Sequence, residues 1–562
     1  MRFRHWILVF ITLGFAATAS AVDWVGADGD FLEGANWSSG EAPFLDEPAI
    51  INNGGTATLS GDLAEASKLE VGISGGSGNY VQTGGDFAAA GAFIGSSGTG
   101  SATISGGTFD IGGDSIHVGW LPAGVGTMTI DSADAYVKSG DDFQLGREGT
   151  GTLNLSAGEL SAGYTVVGKF GTGIWNQTGG YFNQAFGDVE IGDGGRDDQA
   201  GTAGPRSGQF NLSDGFVYST GNFAIGNRRG SGEVNVSGGV LAITGNANST
   251  IFVGRGADSS PGVGGPTSLR VTGGDSTIVA TGNFSMNPDS VSSQSTLIAE
   301  ITGTSHTPIL VSGDADISNG HLKVELNGYS PVADDSWVLI QTGLELDDVL
   351  ANIDSAIEDA GYVAPTHGFP AVFGTVLGEF LSVDTSAATL APGLDWEVLY
   401  QDETVLLSVT GTAGLFGDFD GSGTLDAADI DILSNAVQTG STDSRYDVNT
   451  DGNVNAADRE AWIVDVRNTY FGDSNLDGEF SSADFVAVFT AGQYEDNVAD
   501  NSTWATGDWN GDGEFDSSDF VAAFTAGGYE LGPKAAVSAV PEPSSWVLLL
   551  LSTLPLLSLR KR

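Results

Sequence analysis

The chain lacks cysteine and has little positive charge. With no Cys among its 562 residues, it has no disulfide bond, thiol nucleophile or zinc–cysteine site, so stacking, hydrogen bonds and metal must stabilise the fold. Only 20 Lys and Arg stand against 72 Asp and Glu, which gives a formal net charge of −52. This balance argues against nucleic-acid phosphates and anionic lipid headgroups as partners, and it favours cations. Proline is also scarce, at 16 residues against 85 glycines, which favours a chain full of tight turns over a Pro-rich disordered one.

The first 21 residues have the layout of a signal peptide. Arg2 and Arg4 precede the apolar run 7–17, and Ala19-Ser20-Ala21 is a small-x-small cleavage site. A membrane anchor is the alternative, but the run is too short to span and the cleavage residues follow it at once. The sequence therefore predicts export, with a mature chain that begins near Val22.

The last residues carry a three-part pattern. Pro541-Glu542-Pro543 is followed by the apolar run 546–559 and then by Arg560-Lys561-Arg562. This layout resembles the PEP-CTERM sorting signal of bacterial, planctomycete-like surface proteins, and the resemblance implies recognition by an exosortase-type processing enzyme. A permanent tail anchor fits less well, because fourteen helical residues extend only about 21 Å against a hydrocarbon core of about 30 Å. We expect residues 532–562 to contact the membrane only transiently.

A glycine-rich phrase repeats through the middle of the chain. Its copies close on glycines spaced 22 to 34 residues apart, namely Gly95, Gly119, Gly146, Gly168, Gly192, Gly226 and Gly254. Short alternating runs between them, such as 233–236, predict strands, and the Gly-Gly breaks predict corners with positive φ. A disordered linker would have no reason to repeat its Val, Ile, Leu and Phe.

Repeats too small to bury a hydrophobic face alone must stack on one another. The predicted fold class is mainly β: a right-handed parallel β-helix (solenoid) over 22–342 with an N-terminal cap, followed by a small α-helical dockerin/EF-hand-like calcium domain. The repeats resemble those of autotransporter-type passenger domains of bacterial surface proteins. Residues 343–411 are predicted as a terminal β region, with a short helix at 347–360.

Four acidic twelve-residue segments follow, between residues 418 and 519. Calcium needs six to eight oxygen ligands, and such loops supply them at positions 1, 3, 5, 7, 9 and 12, with Gly at position 6 for the turn. All four segments have Gly at position 6, an apolar residue at position 8 and Asp at position 12. An acidic turn without an ion is the alternative for one such loop, but it does not explain four in a row.

The predicted ligands are read directly from this spacing. They are Asp418, Asp420, Ser422, Thr424, Asp426 and Asp429 in the first loop; Asp447, Asn449, Asp451, Asn453, Asn455 and Asp458 in the second; Asp473, Asn475, Asp477, Glu479, Ser481 and Asp484 in the third; and Asp508, Asn510, Asp512, Glu514, Asp516 and Asp519 in the fourth.

Asp at position 12, where EF-hand sensors usually have Glu, resembles dockerin type I modules. That resemblance implies a Ca²⁺-dependent domain over 415–531 that docks onto a cohesin-like partner, although a simple dockerin has two loops. Segments 472–495 and 507–530 match at 18 of 24 positions, which indicates a duplication. The shared Phe485/Phe520 and Phe489/Phe524 predict core packing between the two helices. A docking surface at 482–483 and 517–518 is the alternative.

No catalytic constellation is evident in the sequence. Basic residues in the repeat are scattered singly apart from Arg228-Arg229, and the acidic pairs Asp141-Asp142 and Asp197-Asp198 are typical of solvated loops. His117, His306, His321 and His367 have no partner pattern. We therefore predict a non-catalytic surface or matrix protein whose partner is a cohesin-like protein or an extracellular polysaccharide. The alternative is an extracellular polysaccharide-degrading lyase or glycoside hydrolase that carries a dockerin, a reading that rests on fold analogy.

Overall fold

The computed structural model describes residues 20–193, 206–228, 230–255, 265–286, 295–368, 374–411 and 415–534. The predicted signal peptide and the predicted sorting signal lie almost entirely outside these ranges. Contacts divide the chain into two compact units, residues 1–411 and 412–562. The first unit is mainly β and the second holds four α-helices, which confirms the coarse prediction of a β-rich protein with a small helical C-terminal part.

Thirty-five strands form one large mixed sheet. In the first part of the chain they are β1 Val22–Asp23, β2 Asp28–Asp30, β3 Pro48–Ile51, β4 Asn53–Leu59, β5 Leu63–Val71, β6 Ser77–Gln82, β7 Asp86–Ile94, β8 Thr99–Ile104, β9 Gly107–Ile111, β10 Ile116–Val118, β11 Val125–Ile130, β12 Ala135–Ser139, β13 Phe143–Leu145, β14 Thr150–Leu155, β15 Glu159–Ala162, β16 Thr165–Val167 and β17 Thr172–Gln184. They continue as β18 Val189–Asp193, β19 Ser207–Ser219, β20 Phe223–Asn227, β21 Ser231–Val236, β22 Gly239–Ile243, β23 Ile251–Val253, β24 Thr267–Thr272, β25 Ser276–Ala280, β26 Phe284–Met286, β27 Ser295–Ile301, β28 Ile309–Val311, β29 Ala315–Asp316, β30 His321–Leu326, β31 Ser336–Gln341, β32 Val376–Leu377, β33 Ser382–Ala387, β34 Leu394–Tyr400 and β35 Thr404–Gly411.

Most strands pair in parallel with the strand one repeat away, and the pairs form three ladders. Ladder 1 runs through β6, β8, β11, β14 and β17 and on to β33. Ladder 2 runs through β7, β9, β12 and β15, and ladder 3 through β7, β10, β13, β16, β18 and β20. We call one strand from each ladder, taken in sequence order, a rung. Antiparallel pairing joins β31 and β34 to β35, where the repeat has ended.

Alternation along each strand places every second side chain in a common core. In β11, for example, Met128 and Ile130 are fully buried while Thr127 and Thr129 are half-buried. The core is continuous from Val22 to Val409. Each large apolar side chain in it contributes about 1.5–3 kcal/mol through burial, which is how a chain without disulfides stabilises a long β unit.

Two sets of glycines set the register. In four Gly-Gly breaks the second glycine has positive φ: Gly85 (69°), Gly107 (73°), Gly180 (69°) and Gly239 (70°), which agrees with the predicted corners. Inside ladder 1, Gly126 and Gly151 are paired neighbours. A Cβ on Gly151 would lie 2.1 Å from the carbonyl oxygen of Val118, so no larger residue fits there without displacing the next strand.

One helix, α1 (Asp347–Asp359), covers part of ladder 2. Its buried Leu350, Ile353 and Ile357 pack against Tyr181 and Tyr218 in a separate apolar cluster. The helix lies where the sequence predicts one, and its i, i+3, i+7 spacing of apolar residues faces the sheet.

The second unit contains α2 Ala427–Gln438, α3 Ala456–Ala461, α4 Ser482–Ala491 and α5 Ser517–Ala526, and a π-helical segment Trp462–Val466 continues α3. Its core is aromatic and includes Trp462, Trp504 and Trp509. Among the residues that the structure describes, no helix is both long and apolar enough to cross a membrane.

Candidate functional site

Each predicted calcium loop ends as the first turn of a helix. Position 9 is the N-cap and position 12 the third helical residue, and the two form a capping box in all four loops. The side-chain oxygen of position 9 accepts the N–H of position 11, as from Ala428 to Asp426 at 2.9 Å. This capping satisfies N–H groups that a helix start leaves unpaired, so one sequence pattern both starts the helix and closes the loop.

The position-1 carboxylate is held the same way in each loop. Asp418 accepts the N–H groups of positions 5 and 6 at 3.0 and 2.7 Å, and Asp447 accepts the equivalent pair at 3.0 and 2.8 Å. Asp473 and Asp508 repeat the arrangement at 3.1 and 2.8 Å and at 3.0 and 2.9 Å. The chain therefore wraps around this carboxylate, as a cation-binding loop requires.

The position-12 carboxylate is buried and faces back into the loop. Asp429, Asp458, Asp484 and Asp519 are at most 1 % exposed. One oxygen of each accepts backbone N–H groups at the start of the loop, and the other accepts the N–H of position 9 at 2.8 to 2.9 Å. The carboxylates of positions 1 and 12 lie close together in the first loop, and they act on one another electrostatically in the third and fourth.

The remaining predicted ligands occupy the loop rims. At position 3, the side-chain oxygens of Asp420, Asn449, Asn475 and Asn510 accept the N–H of position 5 at 2.8 to 3.0 Å. At position 5, Asp451, Asp477 and Asp512 accept the N–H of position 7 at 2.9 to 3.0 Å, and Ser422 does so at 3.4 Å. Position 7 is Thr424, Asn453, Glu479 and Glu514, where the expected ligand is the backbone carbonyl. The Glu514 carboxylate points away and accepts the N–H of Asp500 at 2.8 Å.

Burial and neighbouring acids raise the pKa of several of these carboxyls. Burial is the main cause for Asp429, Asp473 and Asp508, and for Asp519 it raises the pKa to about 6. Buried carboxyls without a counter-ion resist ionisation, and a divalent cation would reverse that tendency. In the first loop, oxygens of Asp418, Asp420 and Asp429 lie within 4.8 Å of one another, a group able to hold a metal ion.

Arg459 connects the loops to one another. It lies on α3 and is 3 % exposed, and its Nε donates to Ser434 Oγ on α2 at 2.8 Å. Its two terminal nitrogens donate to the carbonyl oxygens of Asn510 and Trp509 in the fourth loop. Sequence reasoning missed this residue, because nothing in the repeat marks a basic residue after position 12.

The third and fourth loops each form a β-bridge with the segment that follows the other loop's helix. Phe480, at position 8 of the third loop, bridges to Tyr529 after α5, and Phe515, at position 8 of the fourth, bridges to Tyr494 after α4. Each loop therefore docks against the segment that follows the other helix. There Glu495 donates its N–H to Phe515 O at 3.0 Å, and Glu530 donates its N–H to Phe480 O at 2.8 Å.

The α4–α5 aromatic residues divide into two kinds. Phe485 and Phe520 are half-buried in the cluster with Trp509, as predicted. Phe489 and Phe524 also pack between the repeats, since Phe489 contacts Phe520 and Phe524 contacts Phe485, yet each is 51 % exposed. Packing between the helices therefore accounts for both pairs, and the second pair is also accessible at the surface.

Three further predictions concern the β unit. His367 does have partners: its Nδ1 lies 2.7 Å from Thr244 Oγ1 and its Nε2 lies 2.8 Å from Asp354 Oδ1. Because Thr244 is fully buried, this chain of hydrogen bonds attaches the α1 region to the sheet. Asp142 is half-buried and accepts from Gln144 at 2.9 Å. The pair Asp197-Asp198 lies outside the described residues.

The basic residues of the repeat are less scattered than their sequence positions indicate. His117, Trp120, Arg147 and Lys169 come from three successive rungs, and Arg147 and Lys169 both act on the pKa of His117. Three of these four directly follow the closing glycine of a repeat. Aligning the copies on those glycines would have found the group.

The second unit therefore repeats one loop-and-helix arrangement four times, and the acidic cluster of the first loop could hold a metal ion. Comparison with known proteins is consistent with this: residues 416–463 match the family described as "Dockerin type I domain". The match covers the first and second loops. The third and fourth repeat the same hydrogen bonds outside it.

A curated relative, "Ulvan lyase, long isoform" from Glaciecola sp. (strain KUL10), is 29 % identical over 147 residues, which are 26 % of this chain and 13 % of that protein. The chain thus spans about an eighth of the length of that relative. No solved structure matches the chain.

Proposed function

We propose that this is a non-catalytic protein of the cell surface or extracellular matrix, in which a rigid β body carries a calcium-dependent, dockerin-like attachment module. The observation that carries the proposal is the carboxylate arrangement repeated in four loops, two of which lie in the segment that matches a dockerin type I domain. Dockerin type I domains bind calcium and attach to cohesins, which supports a cohesin-like partner.

Each loop takes one Ca²⁺ in this proposal. The carboxylates of positions 1 and 12 supply the central oxygens, and the residues at positions 3, 5, 7 and 9 complete the ligand set. Four ions would add 4 × 2 = 8 positive charges to the net −52 and leave −44. Calcium therefore relieves repulsion within the loops while the protein as a whole stays strongly acidic.

The surface that meets the partner is the exposed side of α4 and α5. On α4, Ser482, Val486 and Phe489 form a stripe at helical spacing, and Ser517, Val521 and Phe524 repeat it on α5. Val486 and Val521 are 67 % and 66 % exposed. Apolar residues this exposed on a folded, calcium-loaded module support a protein interface. The small polar residues beside them are the positions that the sequence marked as an alternative docking surface.

The body is a right-handed parallel β-helix in this proposal, and the three parallel ladders and their common core support it. Residues 22–342 form the helix and 343–411 close it. The signal peptide (1–21) would direct export, and the PEP-CTERM-like tail (532–562) would be processed by an exosortase-type enzyme. The exported setting is in keeping with a dockerin, since such domains occur in extracellular proteins.

Calcium titration of the full chain tests this function. We expect isothermal titration calorimetry to give four Ca²⁺ per chain, and we expect immobilised cohesins to retain the chain in calcium and release it in EDTA. Val486→Lys with Val521→Lys should abolish retention without changing the calcium stoichiometry. A chain that binds no calcium would refute the proposal. Retention that is unaffected by both EDTA and the lysine variants would remove the attachment role.

A polysaccharide-degrading enzyme is the second candidate, and the partial similarity to a protein named as an ulvan lyase is the observation that favours it. A lyase would release unsaturated products that absorb in the ultraviolet, and a hydrolase would release reducing ends. If incubation of the purified chain with a panel of acidic polysaccharides yields either product, the non-catalytic proposal is wrong.

A further inference from the structure

Three side chains form a column on the outer surface of ladder 3. Trp120, Arg147 and Lys169 each lie two residues beyond the end of β10, β13 and β16, whose last residues are paired in register. The backbone continues this alignment, since Glu148 donates its N–H to Trp120 O at 3.1 Å and Phe170 donates to Arg147 O at 2.6 Å. Neighbouring strands are about 4.8 Å apart, so the two cations follow the tryptophan at successive rungs.

Arg147 and Lys169 differ from six other described cations of the β unit. Six described cations make ion pairs with carboxylates: Lys68, Lys138, Arg228, Arg255, Arg270 and Lys323. Within the described ranges, Arg147 and Lys169 make no ion pair and donate no side-chain hydrogen bond. Asp193, the next residue in the column, is already engaged by Arg228 at 2.6 Å. In a chain of net charge −52, two adjacent cations without a counter-ion are unusual.

Aromatic side chains hold one of the cations in place. The guanidinium carbon of Arg147 lies 4.0 Å from the centroid of the Trp120 ring, a cation–π contact that orients its N–H donors. Trp120 in turn contacts His117, with ring centroids 3.8 Å apart, and Phe93, at 5.6 Å. Trp120, Arg147 and Lys169 are all half-buried, so each side chain is partly accessible to solvent.

His117 adds no charge to this group. It is 5 % exposed, and burial together with the positive charges of Arg147 and Lys169 lowers its pKa to about 3. Asp142 lies within electrostatic reach of Lys169 but makes no ion pair with it. The column thus presents two cations, with the carboxylates of Asp114, Asp141 and Asp142 close to Lys169.

We propose that Trp120, Arg147 and Lys169 form a binding site for an acidic polysaccharide. Carboxylate or sulfate oxygens of the sugar would accept hydrogen bonds from Arg147 and Lys169, which donate through a planar fork and a point charge respectively. The sugar ring would pack beside Trp120 and Phe93, whose apolar surfaces suit the C–H face of a saccharide. The site lies on the β unit and is independent of the calcium module, so the chain would hold a matrix polymer with one unit and attach through the other.

Affinity electrophoresis of the full chain in calcium buffer tests this site. The gels contain hyaluronan (carboxylate), dextran sulfate (sulfate), neutral dextran or single-stranded DNA. The variants are Arg147→Gln, Lys169→Gln and Trp120→Ala, and the matched control is Lys138→Gln, which removes a cation that is paired with Asp110 on ladder 2. Thermal unfolding of each variant establishes that it is folded, and Arg147→Lys replaces Arg147→Gln if the latter is not.

We expect retardation by hyaluronan, by dextran sulfate or by both, and none by neutral dextran. Binding to hyaluronan would identify a carboxylate as the acid group, and binding to dextran sulfate would identify a sulfate. Loss of a charged donor should weaken binding roughly tenfold or more for Arg147→Gln and for Lys169→Gln, while Lys138→Gln should behave as the wild type. No retardation, equal retardation by dextran or DNA, or wild-type binding by both glutamine variants would overturn the proposal. Loss of binding in EDTA would also overturn it, because the calcium module would then be the binding unit.

Discussion

Replacing Arg459 with methionine should destabilise the whole calcium module. The wild-type guanidinium donates to Ser434 on α2 and to two carbonyl oxygens of the fourth loop. Methionine retains much of the volume but no donor, so both carbonyls lose their partner. An unsatisfied buried carbonyl costs about 1–3 kcal/mol, and this applies in full to Trp509, since the Asn510 carbonyl is only partly buried. Methionine also avoids the cost of burying a charge, which offsets part of this penalty. We expect the free energy of unfolding of the module to fall by about 2–4 kcal/mol.

Differential scanning calorimetry of the full chain in calcium measures this effect. The transition that EDTA shifts belongs to the calcium module, and we expect Arg459→Met to lower its midpoint by about 10 °C while the transition of the β unit is unchanged. Arg445→Met is the matched control. Its side chain is 56 % exposed and pairs with Asp443 at 3.1 Å, a contact worth at most about 1 kcal/mol. If both variants shift the midpoint equally, Arg459 does not join the loops.

Three further predictions follow from the loops and from the buried histidines. Asp519→Asn should reduce the calcium stoichiometry by one ion, as counted by titration calorimetry, and Asp500→Asn, outside the ligand set, should not. EDTA should unfold or loosen the second unit and leave the β unit intact, because loop binding energy is folding energy; identical circular dichroism melts with and without calcium would contradict this. The pKa values of His117 and His306 are lowered by burial from 6.5 to about 3 and about 4, so their contribution to stability is present above pH 6.5 and is lost as the pH falls. At about pH 5 each histidine should lower the free energy of unfolding of the β unit by roughly 2 kcal/mol. The thermal midpoint of the β unit should therefore fall between pH 7 and pH 5, and it should fall less in His117→Phe. An unchanged midpoint, or an equal fall in the variant, would refute this prediction.

The calcium loops could be located from sequence because their ligands are local. All six positions of a loop lie within twelve residues, and Gly452 or Gly513 at position 6 marks the turn without any knowledge of the fold. The capping boxes follow from the same spacing, since Asp426 and Asp429 serve the helix and the loop together. The parallel strands were also predictable, because the spacing of the repeated glycines can be read from the sequence and equivalent strands of successive repeats pair with one another.

The groups that were missed depend on register. Trp120, Arg147 and Lys169 are 27 and 22 residues apart in sequence and meet only because β10, β13 and β16 pair in register. Arg459 reaches the fourth loop across 51 residues, a contact set by how the helices pack. The half-exposure of Phe489 and Phe524 likewise depends on how α4 and α5 pack, since each ring contacts a ring of the other helix.

The in-register glycines of the ladders give the β unit an adjustable length. Residues 146–167 contribute one strand to each of the three ladders, β14, β15 and β16, and Leu145 and Val167 occupy equivalent positions. Removing that segment would join Leu145 to Gly168 and set β17 against β11, with every inward side chain still inward. Whole rungs can therefore be lost or copied as single genetic events, while a change of one residue inside a strand would invert it.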